Sequence, residues 1–225
     1  LYILEAINIL SENSMVAFEN PQGFRHFYQK LLQGKEWKIS SLSLNHRGYQ
    51  LQKENFVSYL RNLFNAKGLF RRSVSIAEII SFMDSYYIMD KVFNSLEKLL
   101  DPEDFKKLSL YCEYKIKYSK NRRIDYVLRF HDKILIIEFR LSATFPNMSN
   151  VWQKKENELL IYKELLSNYF PQECKILVYA FIAMPEFNDH TAIFKHIQYN
   201  NQNAKYFAEY INEFLIKNPS LSQIK

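Results

Sequence analysis

Two carboxylates, Asp125 and Glu138, sit in neighbouring segments that both read as strands, residues 122–130 and 133–140, with only His131 and Asp132 between them. Two residues suffice for a tight hairpin turn. In that register Asp125 stands opposite Glu138 and Arg123 opposite Arg140, and the period of two puts all four on one face. Directly opposed side chains have Cβ atoms about 4.5–5.5 Å apart. Two ionised carboxylates at that distance repel unless a cation lies between them, and a hard divalent ion held by oxygen ligands is one solution. A self-satisfying ladder of Arg123, Asp125, Glu138 and Arg140 is the other. On charge pattern alone the ladder has equal standing, and on a surface each pair in it contributes only about 0–1 kcal/mol. The run Ile134-Leu-Ile-Ile137 before Glu138 favours the functional reading, because such a run marks a strand buried on both faces. An acid at the end of a buried strand is more often functional than one on a surface. A slip of one residue would send the two acids to opposite faces, so the argument hangs on the register.

The elements that must carry this hairpin are legible in the periodicity. Before about residue 105 the pattern is helical. Residues 1–13, 21–33 (opened by Pro21) and 53–66 (closed by Gly68) each carry an apolar stripe at helical spacing, and a long helix runs from Ser73 or Ser75 to about Leu100. The polar stretch 38–52 reads as loop. Pro102 starts a short helix reaching to about Leu110. The period then changes to two over 111–119, 122–130 and 133–140. Ser149 is placed to cap a helix over about 150–169, the apolar run 174–183 reads as a central buried strand, and a last helix spans about 203–217. The expected fold class is therefore α/β, with a mostly helical stretch ahead of a β-β-β-α-β-α order.

Composition narrows the classes. The chain has 225 residues, 48% hydrophobic and 16% aromatic, with 4 Gly and 6 Pro, enough for one large folded domain and too glycine-poor for a Gly-rich phosphate loop. A net charge of +6 is compatible with a nucleic-acid partner. Cys112 and Cys174 lie in apolar stretches and read as reduced core residues, five His show no ligand spacing, and no apolar run is long enough to span a membrane. Without an initial Met, the chain reads as part of a larger polypeptide, cytoplasmic or delivered as an effector. Two basic clusters, Lys67 with Arg71 and Arg72, and Lys115, Lys117, Lys120, Arg122 and Arg123, carry Phe70 and Tyr118 among them. They read either as solvated faces or as a track for a phosphate backbone.

Over about residues 75–185 the chain resembles the PD-(D/E)xK nuclease superfamily. Ile124-Asp125 stands where that family has its Asp, Glu138-Phe139-Arg140 where it has acid-x-Lys, and Glu158-Leu-Leu-Ile-Tyr162 is similar to the Gln-x-x-x-Tyr pattern on the following helix of RecB-like members. The phrases Arg-Ile-Asp-Tyr-Val-Leu and Ile-Ile-Glu-Phe-Arg look most like nuclease domains attached to AAA-type ATPases and to toxin-like effectors. The resemblance implies a restriction-endonuclease-like αβββαβ core over 75–225, with 1–74 as a helical extension. It implies a metal-dependent nuclease acting on nucleic acid, DNA ahead of RNA, with Mg²⁺ or Mn²⁺ held by Asp125, Glu138 and the backbone carbonyl of Phe139. Gln153, Glu158 and Tyr162 would support these ligands from behind, and Arg122, Arg123, Lys154 and Lys155 would meet nucleic acid. Glu78, on the helix before the first strand, is the candidate for a further family acid, although the helix N-terminal dipole is the better account of it. Glu113 reads as solvated or as half of a cross-strand ion pair.

Arg140 departs from the family pattern. Lys can lose its proton when desolvated and Arg cannot. Arg140 can hold a phosphate but cannot act as a base, which leaves Lys154 or Lys155 on the next helix to supply an amine. The rival readings are a catalytically inactive nuclease-fold module that binds nucleic acid or protein, and an α/β interaction domain unrelated to nucleases.

Overall fold

The computed structural model describes residues 2–40, 42–68, 73–117, 119, 122–141, 148–170, 174–183, 192–196, 199–201 and 204–217. It is a mixed α/β structure whose helical N-terminal region precedes the central strands. The elements are α1 (Tyr2–Glu12), β1 (Ser14–Phe18), α2 (Pro21–Leu32), α3 (Leu44–Leu51), α4 (Asn55–Lys67), α5 (Ile76–Leu96), α6 (Pro102–Lys106), β2 (Ser109–Lys115), β3 (Arg123–Phe130), β4 (Lys133–Leu141), α7 (Met148–Ser167), β5 (Lys175–Ala183), β6 (Ala192–His196), β7 (Tyr199–Asn201) and α8 (Ala204–Tyr210). A π-helical segment, Ile211–Lys217, continues α8. Spatial order follows chain order from β1 to β7. Strands β1 to β4 pair antiparallel, and β5 returns parallel to β4 by way of α7.

The β3–β4 hairpin has the expected register: Tyr126 pairs Ile137, Leu128 pairs Leu135 and Phe130 pairs Lys133. His131 takes the left-handed conformation at the turn, φ 54°. Ile134 to Ile137 are all buried, because helices cover both faces of β4. Tyr126, Phe139, Tyr179 and Phe181 lie on the face under α5 and α8: Tyr126 packs on Tyr86 of α5, Phe139 on Phe181, and Tyr179 and Phe181 on Phe207 of α8. By alternation Glu138 faces the other way, toward α7.

Helix α5 is the hub. Its N-terminus is closed by a capping box, in which Ser75 accepts from the Glu78 N–H and the Glu78 carboxylate accepts from the Ser75 N–H. Beyond that turn it is buried nearly all round, as a helix enclosed between a sheet and other helices must be. Helices α2, α3 and α4 pack on its outer side.

Several expectations are corrected. Residues 38–52 are not all loop. Ser43 caps α3, and Gly48 lets that helix approach α5 so closely that an added Cβ would stand 2.8 Å from Ile76 Cγ2. The polar look of α3 comes partly from Arg47, which is buried against Asp84 of α5. The stretch 1–74 is not wholly helical, since Ser14–Phe18 forms an edge strand paired to β2. Ser149 lies inside α7 and is not its cap. The helix at Pro102 ends at Lys106 because β2 already begins at Ser109. The last helix splits at Tyr210 into α8 and the π-helical segment.

Candidate functional site

Strands β3 and β4 stop pairing at Tyr126–Ile137, and the two acids stand where they part. Side chains replace the backbone ladder there. The Asp125 N–H donates to Glu138 Oε1 at 3.1 Å, and the Phe139 N–H donates to Asp125 Oδ2 at 2.8 Å. Each carboxylate is thus fixed by the main chain of the opposite strand. Asp125 lines a cleft of about 130 Å³ together with Glu78, Arg123, Phe139, Arg140 and Lys155. Glu138, only 2% exposed, is not among the cleft's lining residues and lies behind it. Of the two acids that the register puts on one face, only Asp125 lines the cleft.

The lysine facing these acids comes from α7. Lys155 Nζ lies 2.7 Å from Glu138 Oε2 and 2.8 Å from Glu158 Oε2, and the Tyr162 hydroxyl donates to Glu158 Oε1 at 2.7 Å. Positions 155, 158 and 162 fall on one helical face at the i, i+3, i+7 spacing. Lys154, one residue back and about 100° round the helix, is exposed, as is Gln153. Gln153, expected behind the ligands, makes no hydrogen bond among the described residues. The choice between Lys154 and Lys155 falls to Lys155.

Arg123 turns away from the expected ladder. It pairs with Glu113 of β2 and stands 3.9 Å from Glu78, its guanidinium 5.2 Å over the Phe82 ring. Arg140 is exposed at the cleft and makes no ion pair among the described residues. The four-residue ladder of Arg123, Asp125, Glu138 and Arg140 is thus replaced by two separate clusters, each with its own cation. The reason is three-dimensional: α5, β2 and α7 bring three further acids to the hairpin's open end.

Glu113 is the residue the sequence undervalued. It is 1% exposed, so it is the cross-strand half of an ion pair and not solvated. Its φ is 53°, and both ladders of β2 skip it, pairing Cys112 and Tyr114 on either side. A non-glycine residue in that conformation costs about 1–3 kcal/mol. The signal available was its row: with Cys112 opposite Tyr126 and Tyr114 opposite Ile124, Glu113 falls level with Asp125.

Burial dominates the electrostatics of the site. Burial holds the Asp125 and Glu138 carboxyls above the usual range. For Glu138 the neighbouring Asp125 adds to the effect, and Lys155 opposes it for both. Burial likewise pushes Glu113 up to about 8, against the pull of Arg123. Burial would lower Lys155, but the Glu138 and Asp125 charges outweigh it and raise it, so its amine stays an ammonium. Burial would raise Glu158, but hydrogen bonds from Lys155 and Tyr162 prevail and its carboxyl is held low.

A divalent cation suits this donor set. Asp125 Oδ1 accepts no hydrogen bond among the described residues, each Glu138 oxygen retains a second lone-pair site, and the pair carries charge that Lys155 only partly offsets. Phe139, whose carbonyl would be the third donor, lines the cleft at the row where β4 meets Phe181 of β5. Among the described residues no three His, Cys, Asp or Glu side chains converge to hold a metal. Of the basic clusters, Arg122 is exposed and its charge reaches Glu158, while Phe70, Arg71, Arg72, Tyr118 and Lys120 lie outside the described residues. No described helix is long and apolar enough to cross a membrane. No family model matches the chain, and neither the curated proteins nor the solved structures contain a match to it.

Proposed function

We propose that the chain is a metal-dependent nuclease of the PD-(D/E)xK type, with DNA the first substrate to test. The observation that carries this reading is the contact of Lys155 with Glu138 at the splayed end of the hairpin. It places a lysine ammonium beside the acid pair, supplying from α7 the charge that the Lys of acid-x-Lys would supply from β4. The element order α5-α6-β2-β3-β4-α7-β5, with the short α6 as an insertion, is also compatible with an αβββαβ core.

In the reaction, a water oxygen adds to phosphorus while the bond from phosphorus to the leaving oxygen breaks. That oxygen keeps the electron pair and takes up a proton, and the water's proton passes to solvent. Asp125 and Glu138, with the Phe139 carbonyl, would hold Mg²⁺ or Mn²⁺, which supplies Lewis-acid polarisation and a more acidic bound water. Lys155, as an ammonium, orients Glu138 and stabilises the charge that develops on the phosphate. Glu158 and Tyr162 hold Lys155 in place. Arg140, exposed at the cleft, contacts the phosphate.

One observation favours the non-catalytic alternative: Arg123 and Lys155 already offset part of the acidic charge without a metal. Calorimetric titration of Mn²⁺ and Mg²⁺ into the wild type and Asp125→Ala, with cleavage assays on single- and double-stranded DNA and RNA, separates the two. Nuclease action requires metal binding that Asp125→Ala abolishes, and cleavage lost in both Asp125→Ala and Glu138→Ala. A wild type that neither binds metal nor cleaves is the inactive module.

A further inference from the structure

Five carboxylates from five elements gather at the open end of the hairpin: Glu78 of α5, Glu113 of β2, Asp125 of β3, Glu138 of β4 and Glu158 of α7. Two side-chain cations divide them. Lys155 takes Glu138 and Glu158, and Arg123 takes Glu113 and Glu78, its charge also felt by Asp125. Phosphoryl hydrolysis is served either by one divalent ion or by two about 3.5–4 Å apart, the second steadying the leaving oxygen. The residues around Arg123 decide which applies here. Its guanidinium is held over Phe82 and paired with a carboxylate that is itself fully buried. That carboxylate is Glu113, whose own backbone takes the left-handed conformation. A guanidinium does not lose its proton and so remains a cation at any working pH.

We propose that Arg123 is the site's resident second cation: the site takes one divalent ion, at Asp125 and Glu138, while Glu113 and Glu78 serve Arg123 and bind no metal. The inference rests on the metal-dependent reading above and adds the stoichiometry and the identity of the second charge. A second positive charge lining the cleft besides Lys155 is thereby built into the chain and needs no second ion.

The test is calorimetric titration of Mn²⁺ into the whole folded chain as wild type, Glu113→Gln and Arg123→Gln. The wild type is expected to bind one Mn²⁺. Glu113→Gln, which keeps the shape of the side chain, is expected to bind one as well, with Kd changed less than tenfold. In Arg123→Gln the vacated place, faced by Glu78, Glu113 and Asp125, is expected to take a second Mn²⁺, which the added Glu113→Gln change removes. Two Mn²⁺ in the wild type, a loss of tenfold or more in Glu113→Gln, or a single Mn²⁺ in folded Arg123→Gln would each overturn the proposal. If Arg123→Gln does not fold, the first two variants still decide it. A wild type that binds no Mn²⁺ at all refutes the metal-dependent reading itself, a result distinct from any of these.

Discussion

At the residue scale, the proposed nuclease chemistry turns on positions 140 and 155. An arginine at the end of β4 is exposed and unpaired among the described residues, whereas the lysine on α7 is enclosed by two acids. Removing one positioned charge-stabilising group costs about 10²–10³ in rate. Lys155→Ala is therefore expected to slow cleavage by that order, while Lys154→Ala, whose side chain lies in solvent, changes it only a few-fold. Arg140→Lys, which writes acid-x-Lys back into the sequence, is expected to alter the rate by less than tenfold, because the ammonium position is already filled. Single-turnover cleavage under saturating Mn²⁺ measures all three. A large gain in Arg140→Lys with no loss in Lys155→Ala would return the role to β4.

At the element scale, α5 positions one wall of the cleft, and it is held by a buried ion pair with α3. Arg47 donates two hydrogen bonds to Asp84, at 2.6 and 2.7 Å, and the Trp37 indole N–H donates to the same carboxylate at 2.9 Å. Burial alone would disfavour the Asp84 charge and does raise its pKa, although Arg47 and Trp37 oppose this. Removing one partner of a buried pair leaves the other charge uncompensated, at a cost of about 3–5 kcal/mol. Asp84→Ala is expected to destabilise the fold by that amount in urea unfolding monitored by circular dichroism. Replacing both partners, as in Asp84→Leu with Arg47→Met, is expected to cost less than the single change. Arg47 is thus a polar residue used for packing, which is part of why residues 38–52 look like loop in one dimension.

At the scale of the whole molecule, the question is where nucleic acid would lie. The cleft opens beside Arg140, with Arg122 and Lys154 exposed nearby in sequence. If these three meet phosphates, affinity for an oligonucleotide falls steeply with salt, and each replacement by Ala reduces the log–log slope by about 0.9 for duplex DNA. Fluorescence anisotropy in chelator, across a salt series, reads the slope without cleavage. A slope unchanged in the triple variant would move the binding face elsewhere. The same measurement on Lys67→Ala tests the more distant basic cluster, and no change is expected there if the cleft alone tracks the backbone.

What the sequence determined by itself was the hairpin and its register. A two-residue turn between two segments of period two admits few alternatives, because in a hairpin the length of the turn fixes the register. The same local rules placed α2 behind Pro21, the end of α4 at Gly68 and the cap of α5 at Ser73 or Ser75, since caps and turns are made by neighbours in the chain. Tertiary structure decided the rest. Whether Glu113 faces solvent, whether Arg123 pairs within the hairpin or with β2 and α5, and which lysine of α7 meets Glu138 all depend on side chains from separate elements converging. One-dimensional spacing carries no information about such distances. The edge strand Ser14–Phe18 was invisible for the same reason: five residues hold too little periodicity to mark a strand, and β1 exists because β2 offers it a partner.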